Sequence, residues 1–176
     1  MQYIIALALF LAIAAWVVSL YHRLHQLRLY ALAQWGLVLL SLQRRNAALR
    51  EFNYGLTADD EPDEVLRQLR HAQGDLELSL NSNCCNKQQM LRIENSEAKL
   101  QHSLSQLLVQ NKYSHEVASC LKLITELDQT RLTAIRQYNA AVLGYRHQLS
   151  IAPNKYIAQL FQLGSMRTIE AKALIV

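Results

Sequence analysis

Glycine and proline are scarce in this chain of 176 residues, at five and two respectively, and no segment alternates apolar and polar residues with period two. Strands need both the alternation and the turn residues between them, so the body is expected to be all-α. Cysteine is sparse as well. Cys84, Cys85 and Cys120 are odd in number and two of them are adjacent, which excludes a disulfide framework and suits a reducing compartment. Adjacent cysteines also fit poorly at a tetrahedral metal centre with His71, His102 or His115, and they lack the C-x-x-C spacing of redox motifs. No metal is expected. Nor is there a G-x-S-x-G, a Gly-rich phosphate loop or an H-E-x-x-H, so neither an enzyme nor a cofactor is expected.

Charge is missing from residues 3–20, YIIALALFLAIAAWVVSL, where Ser19 is the one hydroxyl-bearing aliphatic residue. As a helix this stretch is roughly 27 Å long, close to the ~30 Å hydrocarbon core of a bilayer. Tyr3, Trp16 and Tyr21 stand near its ends, where amphipathic rings suit the headgroup region. Ala12-Ile13-Ala14 resembles a signal-peptide cleavage site, but no Lys or Arg precedes the apolar run and the run continues past the cut. A retained single-pass anchor over 1–21 fits better. Acids are absent from the first 50 residues, which hold five arginines. Arg23 and Arg28, with His22 and His25, follow the span directly, so the positive-inside rule places the body in the cytoplasm.

Residues 22–164 are enough for one helical domain, with 165–176 a loose tail. The first helix is expected to continue from the membrane to about Asn53, with Gly55 placed to end it. Ala31, Trp35, Val38, Leu42, Arg45, Leu49, Phe52 and Leu56 recur on it at alternating intervals of four and three, the mark of a packing seam. Residues 57–61 read as a loop and Pro62 as the first position of a second helix, with Asp59, Asp60, Glu61, Asp63 and Glu64 favourable near its positive end. That helix carries Val65, Leu69, Ala72, Leu76 and Leu80 on one face and breaks at the asparagine-rich 81–86. A third helix over 87–110 has the seam Ile93, Glu97, Leu100, Leu104 and Leu107. After a turn at 111–114, Ser114 caps the fourth helix. Its seam runs Val117, Leu121, Ile124, Asp128, Arg131, Ile135, Tyr138, Val142, Tyr145 and Leu149, widened by Cys120, Leu127, Ala134 and Ala141. It stops before Pro153, and 154–164 form a short amphipathic helix. The expected architecture is an N-terminal transmembrane helix continuing into an antiparallel bundle of about four helices.

Four seam positions are charged: Arg45, Glu97, Asp128 and Arg131. A charge facing a helical core costs several kcal/mol unless paired. Two arrangements meet that condition. Either the acids neutralise the arginines in a polar layer that fixes helix register, or the ~20° slip per heptad of a straight helix turns all four to solvent. Trp35, Tyr138 and Tyr145 read as core, with Asn139 or Arg131 as partners for the buried hydroxyls. No Lys/Arg cluster accompanies aromatic residues on one face, so no nucleic acid is expected.

The stretch Leu42-Gln43-Arg44-Arg45-Asn46-Ala47-Ala48-Leu49 resembles the LKRR-x-D-L-I segment of the LemA family. The segment LDQTRLTAIRQYNAAVLGYRHQLSIAPNKYIAQLF, which begins in the fourth helix, is similar to that family's second signature, in which E-N-R-I precedes A-R-x-x-Y-N-x-A-V-x-x-Y-N and F-P-x-N-x-x-A. Arg131, Tyr138, Asn139, Ala141, Val142, Tyr145, Pro153 and Ala158 stand at matching positions, with Arg136 and Asn154 each one residue away from the Arg and Asn of the pattern. Gln129-Thr130, Arg146 and Phe161-Gln162-Leu163 depart from the pattern, and the region of Cys84 and Cys85 has no counterpart in it. The resemblance implies a bacterial inner-membrane protein, a single-pass, membrane-anchored helical bundle whose biochemical role is poorly defined, with no catalytic site to carry over. The expected function is that of a scaffold recruiting a protein partner through the acidic loop 59–64 or the segment 156–161. The alternative is a sensor of a small ligand or lipid, coupled to the membrane through the first helix. A homo-oligomer is compatible with either.

Overall fold

The computed structural model describes residues 1–56, 64–81, 87–109 and 115–169. The loop at 57–61, Pro62, most of the 81–86 break with Cys84 and Cys85, the 111–114 turn with Ser114 and the end of the tail lie outside the described residues. So do the side chains of Leu56, Leu107, Val117, Cys120 and Leu121. The fold is all-α, with no strand among the described residues: α1 (Gln2–Leu56), α2 (Glu64–Leu80), α3 (Lys87–Val109), α4 (His115–Ser150) and α5 (Asn154–Leu160). α1 has no proline, runs unbroken through residues 22–30, and passes Asn53 to enclose Gly55 in its last turn.

Two compact units make up the chain, Met1–Trp35 with Gln137–Thr168, and Gly36–Arg136 with Ile169. Their limits fall within α1 and α4, whereas the sequence suggested limits at 21 and 164. Both helices are long enough to supply one half to each packing core.

In the first unit, α1 is the one described helix long and apolar enough to cross a membrane, and none of its apolar window is buried. Farther along it, Leu24 packs with Ile157, Ala158 and Leu163, flanked by Val17, Leu20, Tyr21 and Leu149. α4 stops at Ser150, ahead of Pro153. α5 is shorter than the expected 154–164 because the chain reverses after Leu160. Gln162 takes a left-handed φ of 52°, and the N–H of Leu163 donates to Ala158 O at 2.9 Å while that of Gln162 donates to Gln159 O at 3.3 Å. This is a Schellman turn whose customary apolar contact, Leu163 against Ala158, belongs to the core. No glycine marks it, which is why the spacing alone suggested a longer helix.

The second unit holds the rest of α1 with α2, α3 and the first part of α4. Arg50 pairs with Glu77 and Asn53 with Gln73, while Asp75 pairs with Lys99 and Ser79 with Ser96. In each pair of helices one number rises as the other falls, so α2 runs antiparallel to both α1 and α3. The buried face of α2 is Leu66, Leu69, Gln73, Leu76 and Leu80, with Ala72 beside it. Val65, expected in that seam, is only half-buried, because the seam passes through Gln73, a polar residue whose partners are on α1.

Candidate functional site

Four charged side chains from three helices meet in the interior of the second unit. Arg45 comes from α1, Glu97 from α3, and Asp128 and Arg131 from α4; they are 1%, 7%, 2% and 2% exposed. Arg45 Nη1 donates to Glu97 Oε1, and its Nε lies 3.7 Å from Asp128 Oδ1. Arg131 donates to the same Asp128 Oδ1 from Nε at 2.9 Å and Nη2 at 2.8 Å, and its Nη1 is 3.4 Å from Glu97 Oε1. The result is a closed ring of alternating sign in which each carboxylate faces both guanidiniums. The solvent-facing alternative does not hold, since all four positions stay inside the turn of their helix that meets its neighbours.

Ring neutrality is what makes the burial tolerable. Removing each ion from water costs several kcal/mol, and the opposing charges and their hydrogen bonds recover most of it. Recovery is incomplete, because Arg45 Nη2 and Glu97 Oε2 are buried without a hydrogen-bond partner, at a cost of about 1–3 kcal/mol each. A second polar layer follows along α1, from the residue after Arg45 to about two turns beyond it: Gln73 Nε2 donates to Asn46 O at 3.0 Å, and Asn53 Nδ2 donates to Gln73 Oε1 at 2.6 Å. Sequence reasoning missed Asn46, Asn53 and Gln73. The signal was there in the spacing, since Leu66, Leu69, Gln73, Leu76 and Leu80 keep the three–four alternation.

The remaining motif positions divide by direction. Arg44 and Arg136 are exposed, Asn139 and Pro153 half-buried, and Tyr138, Val142 and Tyr145 fully buried in the first unit. Buried Asn154 donates through Nδ2 to Gln148 Oε1 at 3.2 Å. Trp35 meets Tyr138 at 5.4 Å between ring centroids, tilted by 52°. The tyrosine hydroxyls find main-chain acceptors: Tyr138 donates to Arg167 O at 2.8 Å and Tyr145 to Gly164 O at 3.4 Å. Residues 164–167, expected in part as loose tail, are therefore held on α4 by buried phenols that need acceptors. Of the span-boundary residues, Tyr3, Trp16 and Arg23 are exposed, while half-buried Tyr21 stacks on His25 and meets Phe161 in a tilted ring contact.

Burial raises the pKa of Tyr145 above its ordinary value, against a smaller opposing pull from Arg28. The folded state thus holds the phenolic proton more tightly than the unfolded chain does. The corresponding stability is complete below pH ~10 and is lost as pH rises from there through the folded value. Wild type should lose stability above pH 10 more steeply than Tyr145→Phe, as read from denaturant midpoints in detergent across that range. Parallel curves would mean that the phenol is not desolvated.

Outside the core, a groove of about 630 Å³ lies between α2 and α3, lined by Arg67, His71, Asp75, Lys99 and His102 with Glu64 at its edge. Hydrogen bonds from Arg67 and Gln68 hold the Glu64 carboxyl below its ordinary pKa. Lys99 Nζ is 3.4 Å and His71 Nδ1 3.8 Å from Asp75 carboxylate oxygens. Among the described residues no group of three or more His, Cys, Asp or Glu converges as a metal site. No family model matches the chain and no curated protein matches it, so the likeness to the LemA pattern rests on the motif residues themselves.

Proposed function

We propose that this chain is a non-enzymatic scaffold of the LemA type, anchored by residues 3–20 in a bacterial inner membrane and presenting its helical body to a protein partner in the cytoplasm. The observation that carries this reading is the continuity of α1. One helix joins an exposed apolar end to a seam of buried residues from Ala31 to Phe52, so the anchor is also a structural element of the body. The charged ring supports the same reading: its ions neutralise one another and are buried, the arrangement of a register device.

The test is a membrane pull-down of the full-length chain with and without residues 57–63. Wild type is expected to stay in the membrane under alkaline carbonate and to recover a specific partner that the deletion loses. Release by carbonate would remove the anchor, and an unchanged partner list would remove the loop as the recruiting surface. A second reading, a small-ligand or lipid sensor, would place its ligand in the open groove between α2 and α3, where Arg67 and Lys99 supply cations. In that case Arg67→Ala with Lys99→Ala would abolish a ligand-induced rise in Tm while leaving the partner list intact.

A further inference from the structure

All fourteen acids of the chain fall at residues 51–128 and at Glu170. The unit made of Met1–Trp35 and Gln137–Thr168 therefore contains no Asp or Glu, against the cations Arg23, Arg28, Arg146, Lys155 and Arg167. Only Arg23 and Arg28 adjoin the apolar stretch in sequence. Folding brings the other three into the same unit.

α5 gives that unit a second feature. Its inner face, Ile157 and Ala158, packs with Leu163 on Leu24, beside Val17, Leu20 and Tyr21, and Phe161 lies 4.6 Å from Tyr21 between ring centroids. These α1 residues are where the apolar stretch ends. The opposite face is apolar and bare: Tyr156 is 68% and Leu160 73% exposed, one helical turn apart, with Ile151 exposed in the preceding turn. Lys155 and Arg146 are exposed nearby, the latter one turn before Leu149, which packs in the same core.

We propose that α5 is an interfacial helix. With residues 3–20 across the bilayer, as proposed above and on which this inference rests, α5 sits at the depth of the acyl–headgroup boundary and buries Ile151, Tyr156 and Leu160 in it. Arg23, Arg146 and Lys155 engage anionic headgroups. The depth comes from the docking site: residues 17–24 of α1 cover about 10 Å of rise, the thickness in which interfacial helices bury their apolar face. Charge selects lipid over a second copy of the chain, because a second copy would bring the same acid-free, all-positive unit to the contact, whereas anionic lipid complements it.

The test uses the full-length protein in vesicles of equal parts phosphatidylcholine and phosphatidylglycerol, with brominated acyl chains labelled either near the headgroup or near the bilayer centre. Trp35→Phe leaves Trp16 as the single tryptophan, and Trp16→Phe/Trp35→Phe/Tyr156→Trp moves it to an exposed position on α5. The α5 tryptophan is expected to lose most of its emission to the shallow bromines, to resist aqueous iodide, and to emit to the blue of free tryptophan. Adding Arg23→Gln, Arg146→Gln and Lys155→Gln shifts the inserted population toward the aqueous state by roughly fivefold per cation. Quenching by iodide, or by neither reagent as under a protein partner or second copy, would overturn the proposal provided that Trp16 is quenched by lipid bromines. If Trp16 itself is untouched by lipid, the span is what fails. Unchanged quenching in the triple cation variant would overturn the headgroup assignment.

Discussion

Arg45→Met is expected to destabilise the fold by about 3–5 kcal/mol, the cost of leaving buried carboxylates without their counter-charge. The guanidinium is 1% exposed, donates to Glu97 and lies 3.7 Å from Asp128, so its removal leaves two buried carboxylates facing Arg131 alone. Charge-neutral replacement should behave differently. Arg45→Met combined with Glu97→Leu, Asp128→Leu and Arg131→Met removes every ion together and is expected to be neutral or up to about 4 kcal/mol more stable, since no desolvation remains to be offset. What such a variant loses is register, because four polar knobs that fit only one alignment become interchangeable apolar ones. Denaturant unfolding in detergent measures both effects. In a double-mutant cycle, Asp128→Ala and Arg131→Ala should show a coupling of about 1–3 kcal/mol. Additive losses between these two, and of each with Arg45→Ala and Glu97→Ala, would show that the ring does not act as a unit.

Trp35→Ala should cost about 3–5 kcal/mol, the range for deleting a large aromatic side chain from a packed core. Trp35 is 3% exposed and meets Tyr138, itself fully buried, in a tilted ring contact. Part of the loss belongs to that pair: a cycle of Trp35→Leu with Tyr138→Leu is expected to return about 0.5–1.5 kcal/mol of coupling beyond buried area. Tyr138→Phe isolates the hydroxyl. It keeps the ring contact and removes the donor to Arg167 O, costing about 1 kcal/mol and raising hydrogen exchange locally at residues 163–168. Exchange that rose equally throughout α4 would mean that the hydroxyl supports the whole helix and not residues 164–167 in particular.

Much of the helical layout was legible because it is written in local spacing. Apolar side chains at intervals of three and four define one face whatever the partner is, and the described positions of the α1 seam from Ala31 to Phe52 are all buried. The same rule placed Arg45, Glu97, Asp128 and Arg131 on inward faces without saying whether they would meet. Spacing was least informative at the edges of a face. Val65 and Leu66 are one residue apart, and the choice between them depends on where α1 accepts Gln73. It was also silent on α5, where a Schellman turn at a glutamine ended the helix four residues early.

By itself the sequence determined an all-α chain, an uncharged stretch long enough to span a bilayer, and the faces that its helices bury, since each depends on residues within a few turns of one another. The tertiary structure alone decided which charges neutralise which, that Tyr138 and Tyr145 hold residues 164–167 by main-chain carbonyls, and that α5 rests on the end of the apolar stretch. Apart from Arg131 with Asp128, neighbours on one helix, these pairings join residues between 19 and 140 positions apart in the chain, from Tyr145 with Gly164 to Tyr21 with Phe161. At such separations, contact is set by how whole helices pack, and periodicity along one helix holds no record of it.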